Sequence, residues 1–453
     1  MLAVHAGLTQ QPHQIPLPTK SQLTWQSAEQ VALFSYDLHI FDQKKYNQQQ
    51  NRLTPIPDYN IFNPTQLDTD QWIKAAKDGG CKIAILTATH ETGFALYQSD
   101  VNPFCLKAVK WREGKGDIVK EFVESCRKYD VLPGIYIGIR WNAYWGIHDF
   151  KVTGGTQLDK NRQEYYNRLC EGMVEELVSR YGPLSIVWFD GGAHGPDVGG
   201  PDVLRIFEQY QPNCIFYHNT QRADIRWGGS ESGTVPYPSW GTFPFPYSHA
   251  ANQKVVLAND FQLLKQGDPQ GKYYMPAMSD APLRGYKGRH EWFWEPGDEA
   301  HIFPPEHLVD MYYKSVGRNT SLILGLTPDT AGLLPMPDVL RLKEWGAAIK
   351  QQFANPLASS AGVGFAFELN FKTMRQIDRV LIMEDIMLGE RVRKFVLEAK
   401  TPNGWQMITE GSCIGHKYLN RFPKIMASAL RLRIIEALDT PHIKKIQVFG
   451  INE

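Results

Sequence analysis

Seven short apolar runs, each followed by an amphipathic stretch, govern what this chain of 453 residues can become. They are Val31–Leu38, Lys82–Thr89, Leu132–Ile139, Leu184–Asp190, Cys214–Asn219, Tyr274–Met278 and Leu322–Leu326. A run apolar throughout suits a strand buried on both faces, and strands that alternate with helices pair in parallel. The number is close to that of a closed (β/α)8 barrel, so the expected fold is α/β, a TIM-type barrel with one strand missed or irregular. The intervening segments read as outer helices. Ile118, Phe122 and Cys126 recur every fourth residue of Asp117–Cys126 while Lys120, Glu121 and Glu124 face out. Another helix opens at Pro305, carries Leu308, Met311, Tyr312 and Ser315 on one face, and stops at Gly317.

After a helix expected over Asp338–Gln352 the pattern changes to short strands and turns. Ala429–Ile434 alternates strictly, and Pro402-Asn-Gly404 is a turn signal between Phe395–Lys400 and Trp405–Ile408. The chain is also longer than single cores usually grow. We therefore expect a catalytic barrel over residues 1–355 and a β-sandwich over 356–453, whose role is to buttress the barrel.

Lys and Arg number 48 and Asp and Glu 48, so no net field exists to steer nucleic acid or an anionic membrane. A small or neutral substrate fits better. Twelve Trp and 20 Tyr suit stacking on the apolar face of a sugar. No apolar run approaches the length of a membrane span. The six cysteines form no Cys-x-x-Cys pair, which signals neither a zinc knuckle nor a disulfide framework. Met1–Thr9 lacks the basic and apolar segments of a secretion signal.

Chemistry in a barrel gathers where strands end, and Leu184-Ser-Ile-Val-Trp-Phe-Asp-Gly-Gly192 is an apolar run that stops at a carboxylate and two glycines. Side chains alternate along a strand, so Trp188 and Asp190 share a face: an aromatic ring beside a carboxylate. Other strand ends add His39, His90, Glu91, Arg226 and Glu231. Glycoside hydrolysis needs one ionised carboxyl to attack or activate water and one protonated carboxyl to donate to the leaving oxygen. Asp190 fits the first role, and Glu231, in the glycine-rich Trp227–Gly233, fits the second. Glu291 competes for the acid role, with Trp292 and Trp294 beside it as a wall for a sugar. His39, His90 and Glu91 could instead hold a metal, but His90-Glu91 lacks the second histidine of the zinc-protease helix, so neither metal nor cofactor is expected.

Several of these segments, in order, resemble the α-L-fucosidases of glycoside hydrolase family 29. Phe62-Asn-Pro-Thr-Gln-Leu-Asp-Thr-Asp-Gln-Trp72 and Leu86–Tyr97 are similar to the stretch that leads into the family's His-His-Asp-Gly-Phe segment. Trp188-Phe-Asp-Gly191 resembles its nucleophile motif, and Asp224-Ile-Arg-Trp-Gly-Gly-Ser-Glu-Ser-Gly233 a pattern of the branch that prefers α-1,3/1,4-linked substrates. Leu308–Leu326, Arg379–Ile386 and Gly389–Arg393 extend the likeness into the C-terminal region. The resemblance implies a retaining exo-fucosidase with no cofactor, acting on fucosylated oligosaccharides or glycoconjugates in the periplasm or outside the cell. Asp190 would form the glycosyl-enzyme and Glu231 would serve as acid and then base. His39 and His90 would bind sugar hydroxyls, Trp188 and Trp292 would flank the ring, and Arg226 would sit near the nucleophile and keep it ionised. His90-Glu-Thr-Gly-Phe94 departs from the family segment: Glu91 replaces a histidine, and an acceptor there changes which hydroxyls can be read. An α-L-galactosidase using the same chemistry on an L-galactosylated substrate is the nearest rival, and a non-catalytic sugar-binding protein the next.

Overall fold

The computed structural model describes residues 15–42, 44–152, 155–218, 221–246, 261–289 and 291–450. Eight parallel strands form one sheet: β1 (Gln30–Phe34), β2 (Ile83–Thr89), β3 (Leu132–Ile137), β4 (Ile186–Trp188), β5 (Ile215–Tyr217), β6 (Arg226–Trp227), β7 (Ala277–Pro282) and β8 (Ser321–Leu326). Their order is β5-β4-β3-β2-β1-β8-β7-β6, so β1 and β8 pair and the barrel is nearly closed, with its opening between β5 and β6. The strand absent from the seven runs is β6, only two residues long. Tyr274, expected to open a barrel strand, instead pairs antiparallel with Thr242 next to Tyr273 and Phe243, and the barrel strand starts three residues later at Ala277. The first run was read too long: β1 ends at Phe34, and Leu38–Phe41 is a 3-10 turn. Asn219, the expected end of the fifth run, lies outside the described residues.

Period-two alternation divides the strand side chains between two cores. Leu33, Ile85, Tyr136, Ile186, Trp188, Met278 and Ile323 fill the barrel interior, where Trp25 of α1 (Lys20–Ala28) joins them. Phe34, Leu86, Val187, Phe216 and Leu324 face outward and bury against the helices. These include α2 (Gln48–Leu53), α3 (Thr69–Asp78), α4 (Ile118–Lys128), α5 (Gln157–Arg180), α6 (Val203–Tyr210), α7 (Phe261–Gln266), α8 (Pro305–Lys314) and α9 (Met336–Gln352). Asp117 caps α4 by accepting the Lys120 N–H, and Ile118, Phe122 and Cys126 are buried as the spacing requires. In α8 the expected face is likewise buried, although the helix ends at Lys314.

Past α9 come six antiparallel strands: β9 (Ala358–Val363), β10 (Ala366–Glu384), β11 (Val392–Thr401), β12 (Gly404–Gly411), β13 (Tyr418–Ala437) and β14 (His442–Gly450), in the order β9-β14-β10-β13-β11-β12. The long β10 and β13 shift register near Asn370–Arg375, and the sandwich encloses its own core of Phe367, Ile382, Phe395, Leu397, Leu432 and Val448. The Pro402–Gly404 turn joins β11 to β12 as expected. All six cysteines are free and buried.

Candidate active site

Strand β4 ends at Trp188, and the chain turns away through Phe189, Asp190 and two glycines with left-handed backbone, Gly191 at φ +70° and Gly192 at φ +117°. Such a turn lifts Asp190 to the rim with its side chain exposed, and a Cβ on Gly191 would run into the Arg140 guanidinium. The Asp190 carboxylate accepts no hydrogen bond from the other described residues.

Two chambers meet there. The first, about 230 Å³, is lined by Leu33, Ser35, Thr87, His90, Tyr136, Tyr46, Glu291, Trp292 and Phe293. The second, about 340 Å³, is lined by Arg52, Arg140, Trp141, Gly191, Tyr217, His218, Trp227 and Met278. Gln48, Trp188, Asp190, Glu231 and Asp280 line both. Glu231 reaches this shared wall from the loop after β6, and its Oε2 accepts the Trp292 indole N–H at 2.7 Å. Glu291 lines the first chamber alone, away from the shared wall.

Asp280 is a third carboxyl that the sequence reading passed over. It lies on β7 in step with the inward-facing Met278, is 4% exposed, and its Oδ1 accepts the Trp227 indole N–H at 2.9 Å. Burial pushes its pKa well above the ordinary carboxylate range, and the nearby Glu231 and Asp190 push the same way. Both influences favour the uncharged form of Asp280. The signal that could have found it is the one that found Asp190, a carboxylate closing an apolar run; the run had been placed too early.

On the β1 and β2 side a buried carboxylate organises the two histidines. Asp37 accepts from His39 Nδ1 at 3.2 Å, from the Thr92 hydroxyl at 2.6 Å and from the Leu38 N–H at 2.8 Å. Burial would raise the Asp37 pKa, but the His39 bond and charge, with His90 nearby, outweigh it and hold the carboxyl below its usual range. His39 packs between Phe293 (4.2 Å between ring centres) and Tyr46 (4.8 Å), and its buried Nε2 has no partner among the described residues. His90 lines the first chamber, and burial pulls its pKa down to about 3, so it is a neutral imidazole that can donate or accept.

Two expected sugar contacts lie elsewhere. Glu91 is buried behind the chamber wall, where its Oε1 accepts from Arg52 Nε at 2.7 Å and its Oε2 from the Tyr46 hydroxyl at 3.5 Å. It holds the segment that carries α2, and burial raises its pKa to about 7 despite Arg52. Arg226 is fully buried outside the barrel: Nε donates to Leu264 O at 3.1 Å, Nη1 to Met275 O at 2.6 Å, and the guanidinium lies 5.4 Å from the Phe243 ring centre. Arg226 cannot steady Asp190. The physical reason is that residues 226 and 227 form a strand, so with Trp227 facing the chamber its neighbour must face out. The cations beside Asp190 are Arg52 and Arg140, both missed; Arg52 sits in the polar Asn47–Arg52, which offers no apolar period to read.

A barrel mouth that sets two rim carboxyls against aromatic walls, with a chamber on each side of them, is a site built for cleaving a glycosidic bond. A family model described as Alpha-L-fucosidase matches residues 3–352. Among curated proteins, Alpha-L-fucosidase 1 of Arabidopsis thaliana is 28% identical, with 96% of this chain and 88% of that protein covered. A solved structure assigned as an α-L-fucosidase, from Bacteroides thetaiotaomicron, superposes with a TM-score of 0.92 at 54% identity, covering 97% of this chain and all of the other. A glycoside hydrolase 29 family member from a rumen bacterium gives 0.80 at 28%, covering 98% and 78%. The chain belongs to the α-L-fucosidase family, glycoside hydrolase family 29.

Proposed function

We propose that this protein is a retaining exo-α-L-fucosidase in which Asp190 is the nucleophile and Glu231 the acid and base. The observation that carries the reading is that Asp190 and Glu231 line the shared wall of two chambers, one aromatic and one polar. A terminal fucose enters the first chamber, against Tyr136, Trp188 and Trp292, and its leaving group projects into the second. Asp190, exposed and free of hydrogen bonds from the described residues, attacks the anomeric carbon as Glu231 protonates the departing oxygen. Glu231 then takes a proton from the water that releases fucose. Neutral His90 and the open Nε2 of His39 supply hydrogen bonds to ring hydroxyls. Kinship with α-L-fucosidases supports fucose over L-galactose as the sugar, and the likeness of Asp224–Gly233 to the α-1,3/1,4 branch supports that linkage class. Work on exposed glycans would suit a periplasmic or secreted enzyme, which fractionation of producing cells would test.

The test is hydrolysis of 4-nitrophenyl α-L-fucoside followed by NMR. Fucose must appear first as the α-anomer, and Glu231→Ala must be rescued by azide; first release of the β-anomer, or azide rescue of Glu291→Ala in its place, overturns the assignment.

A further inference from the structure

The second chamber holds more cationic donor capacity than the reaction uses. Arg52 and Arg140 flank Trp141, with guanidinium carbons 4.4 Å and 5.6 Å from its ring centre. Each is tethered by Nε alone, Arg52 to Glu91 and Arg140 to Asp149 at 2.7 Å. Among the described residues no acceptor takes the terminal nitrogens of either fork. Neither bonds Asp190, although both line its chamber. A guanidinium held by Nε with its two outer nitrogens open is oriented for bidentate capture of an oxyanion, and stacking on Trp141 holds both forks in the chamber wall. Of the acids around the chamber, burial pushes the Asp280 carboxyl well above the ordinary carboxylate range and Glu91 up to about 7, so these two repel an anion less than ordinary carboxylates would.

We propose that Arg52, Arg140 and Trp141 form a subsite for an acidic sugar, so that the preferred substrates carry an oxyanion, a carboxylate or a sulfate ester, on the residue next to the terminal fucose. This rests on the reading of the site as a fucosidase. Glu91 and Asp149 are positioning residues that aim the forks, and Glu91 thus acts on the leaving group's side of the site. Binding energy made there is felt in kcat/KM for natural substrates and is absent from small aryl glycosides.

The test compares matched pairs: fucosyl-glucuronic acid with fucosyl-glucose, and fucosyl-6-sulfo-N-acetylglucosamine with its unsulfated partner. The expected result is a kcat/KM at least about tenfold higher for an acidic member at low ionic strength, shrinking severalfold in high salt as charge is screened. Whichever pair shows the larger ratio identifies carboxylate or sulfate as the source. Arg140→Gln and Arg52→Gln should each collapse that ratio, and Arg52→Lys, which keeps the charge and loses the fork, should restore it only in part. Equal rates within both pairs, or ratios untouched by the substitutions, overturn the subsite while release from 4-nitrophenyl α-L-fucoside shows the enzyme reading intact. No release from that glycoside by the wild type defeats the underlying reading instead.

Discussion

Two groups of acidic side chains, one at the barrel mouth and one at the seam between barrel and sandwich, are treated in opposite ways. At the seam, Glu384 Oε1 accepts the N–H groups of Arg391 (2.9 Å) and Val392 (3.0 Å), and its Oε2 accepts that of Gly415 (2.8 Å). Glu390 accepts from the Gly241 N–H through both oxygens and from the Asn319 amide. Glu29 is bonded by His416, Lys417 and the Tyr312 hydroxyl, and those partners outweigh burial and hold its pKa far below the usual range. At the mouth, Asp280 has one indole N–H on one oxygen, and Asp190 accepts nothing from the described residues. A buried acid whose oxygens are all occupied joins pieces of protein; one left with unused lone pairs waits for a ligand.

The largest effect expected from that contrast is loss of chemistry without loss of fold. Asp190→Asn should lower kcat on 4-nitrophenyl α-L-fucoside by about 10^4-fold or more, since a nucleophile supplies a whole covalent step, with an unchanged melting temperature. A large fall in melting temperature would place Asp190 with the seam acids. Glu384→Ala should do the reverse, stranding three backbone N–H groups at about 1 kcal/mol or more each. Calorimetry should show a melting temperature lower by several degrees, and the folded fraction should keep wild-type KM. An undisturbed melting temperature would mean that water replaces the carboxylate there at no cost.

The next effect is the pH dependence of stability. Burial raises the Glu384 pKa to about 7, against the lowering by its backbone donors, while in the unfolded chain a glutamate titrates near about 4.3. The folded state therefore binds the extra proton between those values. Stability from this group is complete below about pH 4 and fades as pH rises through 7. Glu384→Gln removes the titration, so wild type should lose stability relative to the variant between pH 5 and 8, by on the order of 2 kcal/mol. A constant difference across that range would contradict the raised value. Glu91, also raised to about 7 at the mouth, should show the same sign in Glu91→Gln.

How far these roles could be read from the sequence depends on how each residue is placed. Asp190 was legible because an apolar run announces a strand and the glycines after it announce a turn, two local signals that agree. The place of Glu231 in the chamber wall was legible from the glycines around it, with no apolar run before it. Arg226 misled, because a two-residue strand carries no period, and without knowing that Trp227 faces inward nothing says that Arg226 faces out. Asp37 and Glu91 are fixed by partners far along the chain or across a loop, Thr92 for one and Arg52 for the other, and such pairing leaves no trace in local spacing. The barrel itself was plain, and the strand limits blurred where Tyr273–Tyr274 turned out to pair with Thr242–Phe243.

The smallest effect expected is also the most discriminating between the two groups of acids. Asp280 stands in the shared wall with Asp190 and Glu231, and burial favours its uncharged form, of which asparagine is a near isostere. Asp280→Asn keeps an oxygen to accept the Trp227 indole N–H, so kcat/KM near pH 6 should stay within about threefold of wild type. At alkaline pH the outcomes part: in wild type, Asp280 and Glu231 lose protons as interacting neighbours, and the like charge of one delays ionisation of the other. Without that second acid the like charge beside Glu231 is gone, and the alkaline limb of the kcat/KM profile should move to lower pH. Asp280→Ala, which abandons the indole, should cost more at every pH because the Trp227 wall then loses that hydrogen bond. Should Asp280→Asn prove as inactive as Asp190→Asn at pH 6, the proton donor in this site is Asp280, and Glu231 falls back to holding Trp292 in place.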